Sequence, residues 1–505
     1  MGETDPVFEV GKTQATIINK QEAPLEETEM KVLLELSGSG DIYKDRAPLD
    51  LVTVLDVSGS MNAEDRIGNL KIAMQFLIHK LSPIDRLSVV VFSSDSTRLF
   101  PLRHITNESQ LEIIETINAL RSHGATNMAA GLKTGIQVLE DRRLYYGRVG
   151  AIMLMSDGDQ SLRFGDARNV QVDNFAVHTF GLGSDARSEV LQVIAERSKG
   201  GTFSDVRNQN DLTKAFSQCL GGLLTVVVQD LNLTLTQVDD ESKIKNVSAG
   251  NYPTISNTNN DSVTISFGEL YNNEVRMVMV DLLLPKVDSK RSPDFLHVTY
   301  TYSADKRKRP FEAPRLTATV TKTATGKEVP KMILEKNRLK TLNSVKEARA
   351  LADNRELERA KDKVDEAKNS LVGVKDVDDP KQVIKTLMYD LEQLSGFVKS
   401  QKEYEEKGRP YAMSFETSHE RQRYAARGDV DAVRAFATPR MDAYLEQAKE
   451  FEKDPTKPPP SVEDDVKQEI KQEILDNPRI PYYIKLAFQV GESIGHASNT
   501  STRRT

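Results

Sequence analysis

What this chain has little of narrows its class before any motif is considered. Its 505 residues contain one cysteine, Cys219, and no tryptophan. A single thiol closes no disulfide within the chain, and a zinc finger or RING needs about four Cys/His ligands. Long apolar runs are also missing. None approaches the roughly 20 residues that carry a helix across a bilayer, so no transmembrane segment is expected. The opening stretch MGETDPVFEV lacks the basic and apolar regions of a secretion signal. Pro6 stands where a myristoylation signal has Ser or Thr. The sequons at Asn232 and Asn246 are therefore read as chance, and the expected setting is cytoplasmic. Positive charge is not in excess. The formal net charge of -7 argues against nucleic acid as the main ligand.

What is present is a globular composition, 38% hydrophobic and 28% charged, in a chain too long for one core. Residues 1–46 read as two strands, with Phe8, Val10 and then Val32, Leu34, Leu36 at a period of two. They are expected to join a β-sandwich further along, and Ser37–Gly40 marks their end. Residues 47–223 alternate short apolar runs with amphipathic stretches. The runs are Leu51–Leu55, Leu87–Phe92, Ala151–Met155 and Phe175–Phe180. The helical stripes are Leu70, Ala73, Met74, Leu77, Leu81; then Leu111, Ile114, Ile117; and, less cleanly, Ala130, Lys133, Thr134, Ile136, Val138. This pattern predicts an α/β fold, a doubly wound, mostly parallel sheet.

Residues 224–328 return to alternating strands, at Thr225–Leu235 and Leu296–Tyr302. Turn signals at Asn257–Asp261 and Asn272–Asn273 fit a β-sandwich domain. Residues 329–453 turn helical. Leu357, Ala360, Val364, Ala367, Leu371 step by three and four, and so do Val383, Leu387, Leu391, Leu394, Val398. Asp379 and Pro380 offer a cap and a first-turn proline for the second helix of a hairpin. Residues 454–505 read as a Pro/Lys linker and a tail partly disordered beyond Gly495.

The chemistry concentrates in three loops. Asp56-Val-Ser58-Gly-Ser60 begins where an apolar strand ends. Gly124-Ala-Thr126-Asn127 precedes a helix, and Ser156-Asp157-Gly-Asp159 follows another strand. In open α/β sheets ligands sit beyond the carboxyl ends of the strands. Asp56, Ser58, Ser60, Thr126 and Asp157 offer two carboxylates and three hydroxyls, all hard oxygen donors. Such a set selects Mg²⁺, with Mn²⁺ or Ca²⁺ as alternatives, over zinc or copper. With only two anionic groups, the ion keeps positive charge for a carboxylate from outside.

Asp-x-Ser-x-Ser, a later Thr and a later Asp-Gly resemble the metal-ion-dependent adhesion site of von Willebrand factor A (VWA) and integrin I domains, over roughly residues 48–222. The resemblance implies direct coordination by Ser58, Ser60 and Thr126, and a water-mediated role for Asp56 and Asp157. Ala47–Met61 (APLDLVTVLDVSGSM), Asp85–Val90, Leu99–Arg103 and Ser418–Gly428 (SHERQRYAARG) are similar to plant VWA proteins related to the wavy-growth RING ubiquitin ligases. Those carry a cysteine-rich RING, for which this sequence lacks the ligands.

The bland alternatives stand beside these. Asp-x-Ser-x-Ser alone can be a turn that caps a helix. A haloacid-dehalogenase phosphatase would want Asp at position 58. The seven histidines show no ligand spacing; His178 reads as core and Cys219 as buried. Lys306–Arg309 reads as a hairpin tip before a nuclear signal. The expected function is non-enzymatic, Mg²⁺-dependent recognition of a protein that supplies an acidic residue. The resemblance adds an intracellular scaffold or adaptor role in ubiquitin-related signalling. A metal-independent scaffold binding through its C-terminal helices is the alternative, with a Mg²⁺-dependent hydrolase behind it. The sequence names neither partner nor oligomeric state.

Overall fold

The computed structural model describes residues 12–40, 46–183, 187–207, 211–259, 261–303, 310–323, 327–374, 377 and 382–476. Phe8, Val10, Lys306–Arg309, Asp379, Pro380 and the tail beyond Gly495 lie outside the described residues. The chain opens with β1 (Thr13–Asn19), β2 (Glu22–Ala23) and β3 (Thr28–Gly38). It continues through β4 (Leu49–Asp56), β5 (Arg86–Phe92), β6 (Ser96–His104), β7 (Val149–Ser156), β8 (Ala176–Leu182) and β9 (Phe203–Val206). Strands β4 to β9 form one sheet in the order β6-β5-β4-β7-β8-β9. All pairs are parallel except the β5–β6 hairpin at the edge.

Both faces of this sheet are covered, which is why its strands read as continuous apolar runs. Leu51, Leu55, Val89 and Met153 pack under the helices Arg66–Lys80 and Leu212–Leu223. Their neighbours Val52, Val54, Val90 and Ile152 pack under Met128–Glu140 and Ser188–Arg197. Two helical stripes differ from expectation. In the helix Asn107–Ala119, Ile113 and Ile117 are buried with Ser109, while Leu111 is 65% exposed. A capping box between Thr106 and Ser109 fixes this rotation, and the Ser109 hydroxyl also donates to the His104 carbonyl. In Met128–Glu140 the buried stripe is Met128, Leu132, Ile136 and Leu139 with Gly131 and Gly135, not Ala130, Lys133 and Thr134. A Cβ at Gly131 would lie 2.5 Å from the Phe92 ring, and one at Gly135 2.7 Å from Val54. The glycines let this helix lie close on the sheet, which brings the preceding Thr126 loop to the sheet's edge.

The second half adds β10 (Val226–Gln237), β11 (Lys243–Ser248), β12 (Thr254–Ser256), β13 (Ser262–Tyr271), β14 (Val275–Leu284), β15 (Asp294–Ser303), β16 (Phe311–Glu312), β17 (Leu316–Thr319) and β18 (Thr321–Lys322). Two sheets, β1-β3-β14-β11 and β12-β13-β10-β15-β16, enclose a core that includes Val32, Leu34, Val278, Leu233, Ile265 and Val298. The α/β unit thus enters between β3 and β10. The turn at Asn272–Asn273 is not a hairpin within one sheet, because it carries the chain from β13 in one sheet to β14 in the other.

Helices Pro330–Asp353, Leu357–Val372, Val383–Phe397 and Arg409–Arg421 share a core of their own. Met332 joins it to the sandwich by packing on Leu33 and Met279. The helices Pro439–Lys453 and Val462–Asp476 leave that bundle and lie on the α/β unit. Met441, Tyr444 and Val462 enter its core, and Ala448 and Phe451 pack on Phe76. Residues 454–461 connect these two helices, and their far end is anchored to the α/β unit. The wholly buried Lys80 ammonium donates to the Pro460 carbonyl, to Gln447 and to Asp465. A buried ammonium needs such partners. Here they lie more than 360 residues away, beyond the reach of a local reading of Pro and Lys content.

Candidate metal centre

The carboxyl ends of β4, β5 and β7 lie side by side because these strands pair in register, with Asp56 opposite Phe92 and Leu55 opposite Met155. The three loops are then tied together through backbone. Val57 N–H donates to the Phe92 carbonyl, and His123 N–H to Val57. Gly59 N–H donates to the Gly124 carbonyl at 3.1 Å, and Ser161 N–H to Thr126. Asn127 donates from its backbone N–H to Ser93 and caps the following helix through its side chain.

Within this frame Asp56 is fully buried. One of its oxygens accepts from Ser58 N–H at 2.8 Å, the other from the Ser156 hydroxyl at 2.6 Å. Ser58 and Ser60 bring their hydroxyl oxygens within 3.1 Å of each other. Ser58 is buried and Ser60 exposed, so the pair forms the floor and rim of a shallow opening. Asp157 accepts from Asp159 N–H and from the Arg66 guanidinium, and Ser60 hydrogen-bonds to it as well. Thr126 is 7% exposed, in the loop that Gly124 fastens to Gly59.

Burial, and next the charge of Asp157, push the Asp56 carboxyl up to about 7. Asp157 is also raised, chiefly by burial, against hydrogen bonds and Arg66 that lower it. A buried carboxyl raised by burial and by a neighbouring carboxylate is what a cation would relieve. Oxygens on adjacent corners of a Mg²⁺ octahedron, with metal–oxygen bonds of about 2.0–2.1 Å, stand about 2.9 Å apart. The Ser58 and Ser60 oxygens come close to that spacing, so the donor set fits a small hard cation. Among the described residues no cluster of three or more His, Cys, Asp or Glu could hold a metal, and the hydroxyls are therefore essential to this fit.

Three features escaped sequence reasoning. Ser156 orients Asp56 and also accepts from Gly158 N–H; its place just before Asp157 was the available signal. Arg66 reaches Asp157 from the start of its helix, with no motif to announce it. The segment from Arg421 to Arg427 is the third. Arg423 donates to Glu274, Arg427 to Asp390 and Arg421 to the Glu196 and Ser198 carbonyls. Asp205 N–H donates to the Ala426 carbonyl, so this segment touches the sandwich, the bundle and the edge strand of the α/β sheet. Asp159 remains outside the site: its side chain is exposed, 3.5 Å from Arg187. His178 is buried against Thr202. Cys219 is half-buried, with burial pushing its thiol up to about 12.

Comparison with known proteins follows the same lines. Residues 50–218 match the von Willebrand factor type A domain, and residues 381–450 match a family described as VWA / Hh protein intein-like. The chain is 32% identical to the E3 ubiquitin-protein ligase WAV3 of Arabidopsis thaliana over 48% of this chain and 32% of that protein. It is 31% identical to the probable E3 ubiquitin-protein ligase WAVH2 of the same plant, over 56% and 38%. The matched part thus spans about a third of these relatives' own length. Among solved structures, a von Willebrand factor type A protein from Catenulispora acidiphila superposes with a TM-score of 0.57 at 16% identity, over 75% of this chain and 93% of that one. That likeness extends well beyond the α/β unit. Sequence and fold agree that residues 50–218 form a von Willebrand factor type A domain, in a chain similar over part of its length to the plant ligases WAV3 and WAVH2.

Proposed function

We propose that the chain is a non-catalytic protein-recognition module whose Ser58, Ser60 and Thr126 bind one Mg²⁺, or Mn²⁺ or Ca²⁺ in its place, for a partner that presents Asp or Glu. The observation that carries this is the carboxylate pair Asp56 and Asp157, two buried acids with one resident cation, Arg66, beside Asp157, set behind two hydroxyls at an exposed rim. Both oxygens of Asp56 already accept hydrogen bonds from Ser58 N–H and Ser156, which supports an outer role for this carboxylate. Ser60, exposed at the mouth, leaves the site open toward a partner. Once bound, the ion supplies residual positive charge and an open position for an incoming carboxylate.

Two named E3 ubiquitin ligases stand among the relatives. On that likeness we place the chain as a scaffold or adaptor in ubiquitin-related signalling. Ligase chemistry is left aside, since one cysteine cannot build a RING within these residues. Among the described residues no helix is long and apolar enough to cross a membrane, and the setting proposed is the cytoplasm, with the nucleus as the alternative. The test is direct. Mg²⁺ should raise the melting temperature of the parent but not of Ser58→Ala, because a ligand stabilises by RT ln(1 + [L]/Kd) only where it binds. Partner capture should fail in EDTA and with Ser58→Ala. Equal Mg²⁺ shifts in both proteins, or capture indifferent to EDTA, would remove the metal from the function and turn attention to the C-terminal helices.

A further inference from the structure

We propose that Arg66 is a sixth residue of the metal centre, a resident positive charge that weakens the site's hold on the metal and strengthens the loaded site's hold on a carboxylate. This rests on the metal-site assignment above.

The geometry is specific. Arg66 is 3% exposed, and its Nη1 lies 3.3 Å from Asp157 Oδ2. Its Nη2 is 3.6 Å from Glu64 Oε2. The chain goes to some length to aim it there. Glu64 and Asp65, both non-glycine, take left-handed backbone angles of φ 52° and 55° just before it, a conformation that L side chains resist. On the far side the guanidinium lies against Gly183. A Cβ at that position would stand 2.5 Å from it, and Gly183 itself has φ +90°.

The consequence follows from counting charge. A guanidinium stays protonated. With Asp56 and Asp157 ionised, and the half-exposed Glu64 left to solvent screening, the empty site carries two negative charges and one positive, a net of about -1. Adding a divalent ion takes it to about +1. Without Arg66 the same site would run from about -2 to neutral. Arg66 therefore opposes the metal and helps the carboxylate that follows. A purely structural arginine would not give effects of opposite sign at the two steps.

The experiment uses the full chain as parent, Arg66→Gln and Arg66→Lys. Mn²⁺ is titrated calorimetrically. Acetate is then titrated into the Mn²⁺-loaded proteins while water-proton relaxation reports displacement of metal-bound water. Arg66→Gln should bind Mn²⁺ about tenfold more tightly and need several-fold more acetate, while Arg66→Lys stays near the parent in both. Arg66→Met keeps the apolar stem and takes the place of the Gln variant should that one not fold. Unchanged or weaker Mn²⁺ binding by both charge-free variants overturns the proposal, as does tighter Mn²⁺ binding with unchanged acetate response. If neither parent nor charge-free variants bind Mn²⁺ at millimolar concentration, the metal-site assignment falls instead.

Discussion

Two of the buried charge clusters among the described residues are resolved in opposite ways. At the carboxyl edge of the α/β sheet, Asp56 is fully buried, and its carboxyl rises to about 7 because burial and Asp157 both work against its charge. At the junction of the three structural units, Glu274 is just as buried. Its carboxyl is lowered, because Arg276 and Arg423 more than offset the burial that would raise it. Arg423 and Arg276 both reach Glu274 at 2.8–2.9 Å, and Arg427 grips Asp390 with two bonds. Glu274 and Asp390 thus have their charge met by arginines within the junction. The sheet edge leaves its carboxylates short of cation and open on one side. Burial alone therefore does not mark a binding site; a buried acid beside hydroxyl donors at an open edge is the better marker.

The largest effect should come from breaking the closed cluster. Arg423 donates to Glu274, to the Gly200 carbonyl and to the Glu269 carbonyl, and stacks 3.8 Å above the Tyr271 ring. Arg423→Leu leaves those acceptors in the interior without their donor. Removing one partner of a buried pair costs about 3–5 kcal/mol, and urea unfolding should show a loss of that order. A loss under about 1 kcal/mol would mean that Arg276 alone satisfies Glu274, and the contrast between the two clusters would weaken.

A smaller effect reads the junction's intolerance of further positive charge. His178 sits beside it, with Nδ1 at 3.0 Å from the Thr202 hydroxyl. Burial, and then Arg423, lower its pKa from 6.5 to about 3. The folded state keeps this imidazole neutral, whereas the unfolded chain takes up a proton below 6.5. Stability present above pH 6.5 is therefore lost as pH falls toward 3, at about 1.4 kcal/mol per pH unit for this one group. Unfolding midpoints of the parent and His178→Gln, measured from pH 7 to pH 4, should converge on acidification. Parallel pH profiles would place the proton sensitivity elsewhere.

How much of this was legible beforehand depends on the range of the interaction. The strands of the sheet could be read because doubly covered strands are apolar throughout, and the metal loops because each follows such a run. Leu111 misled because a stripe of three residues does not fix a helix's rotation, while Thr106 and Ser109 do. Arg66 was invisible because its target, Asp157, lies 91 residues on. The Ser418–Gly428 segment could be seen as a likeness but not as a junction, since Arg423 meets Glu274 across 149 residues.

The smallest predicted effect separates Asp157, which the sequence pattern selects, from its neighbour Asp159, which it does not. Asp157 and Asp159 flank one glycine at the end of one strand, and either could serve a cation. Gly158 sits there at φ +77°, and the turn it makes sends the two carboxylates apart. Asp157 points inward to Ser60 and Arg66. Asp159 is left exposed near Arg187 and gives the site its backbone N–H, which donates to Asp157 Oδ1 at 3.2 Å, and a charge that raises Asp157 but ranks behind burial, hydrogen bonds and Arg66 among the influences on it. Asp159→Asn keeps that N–H and removes a charge that water screens. Mn²⁺ affinity should change by less than about twofold, and stability should hardly move, as is usual for exposed ion pairs. Asp157→Asn, by contrast, removes charge from behind the hydroxyls and should abolish Mn²⁺ binding. Should Asp159→Asn instead weaken Mn²⁺ tenfold or more, the ion would be drawing on the exposed carboxylate, and the opening proposed for a partner's acidic residue would already be filled from within the chain.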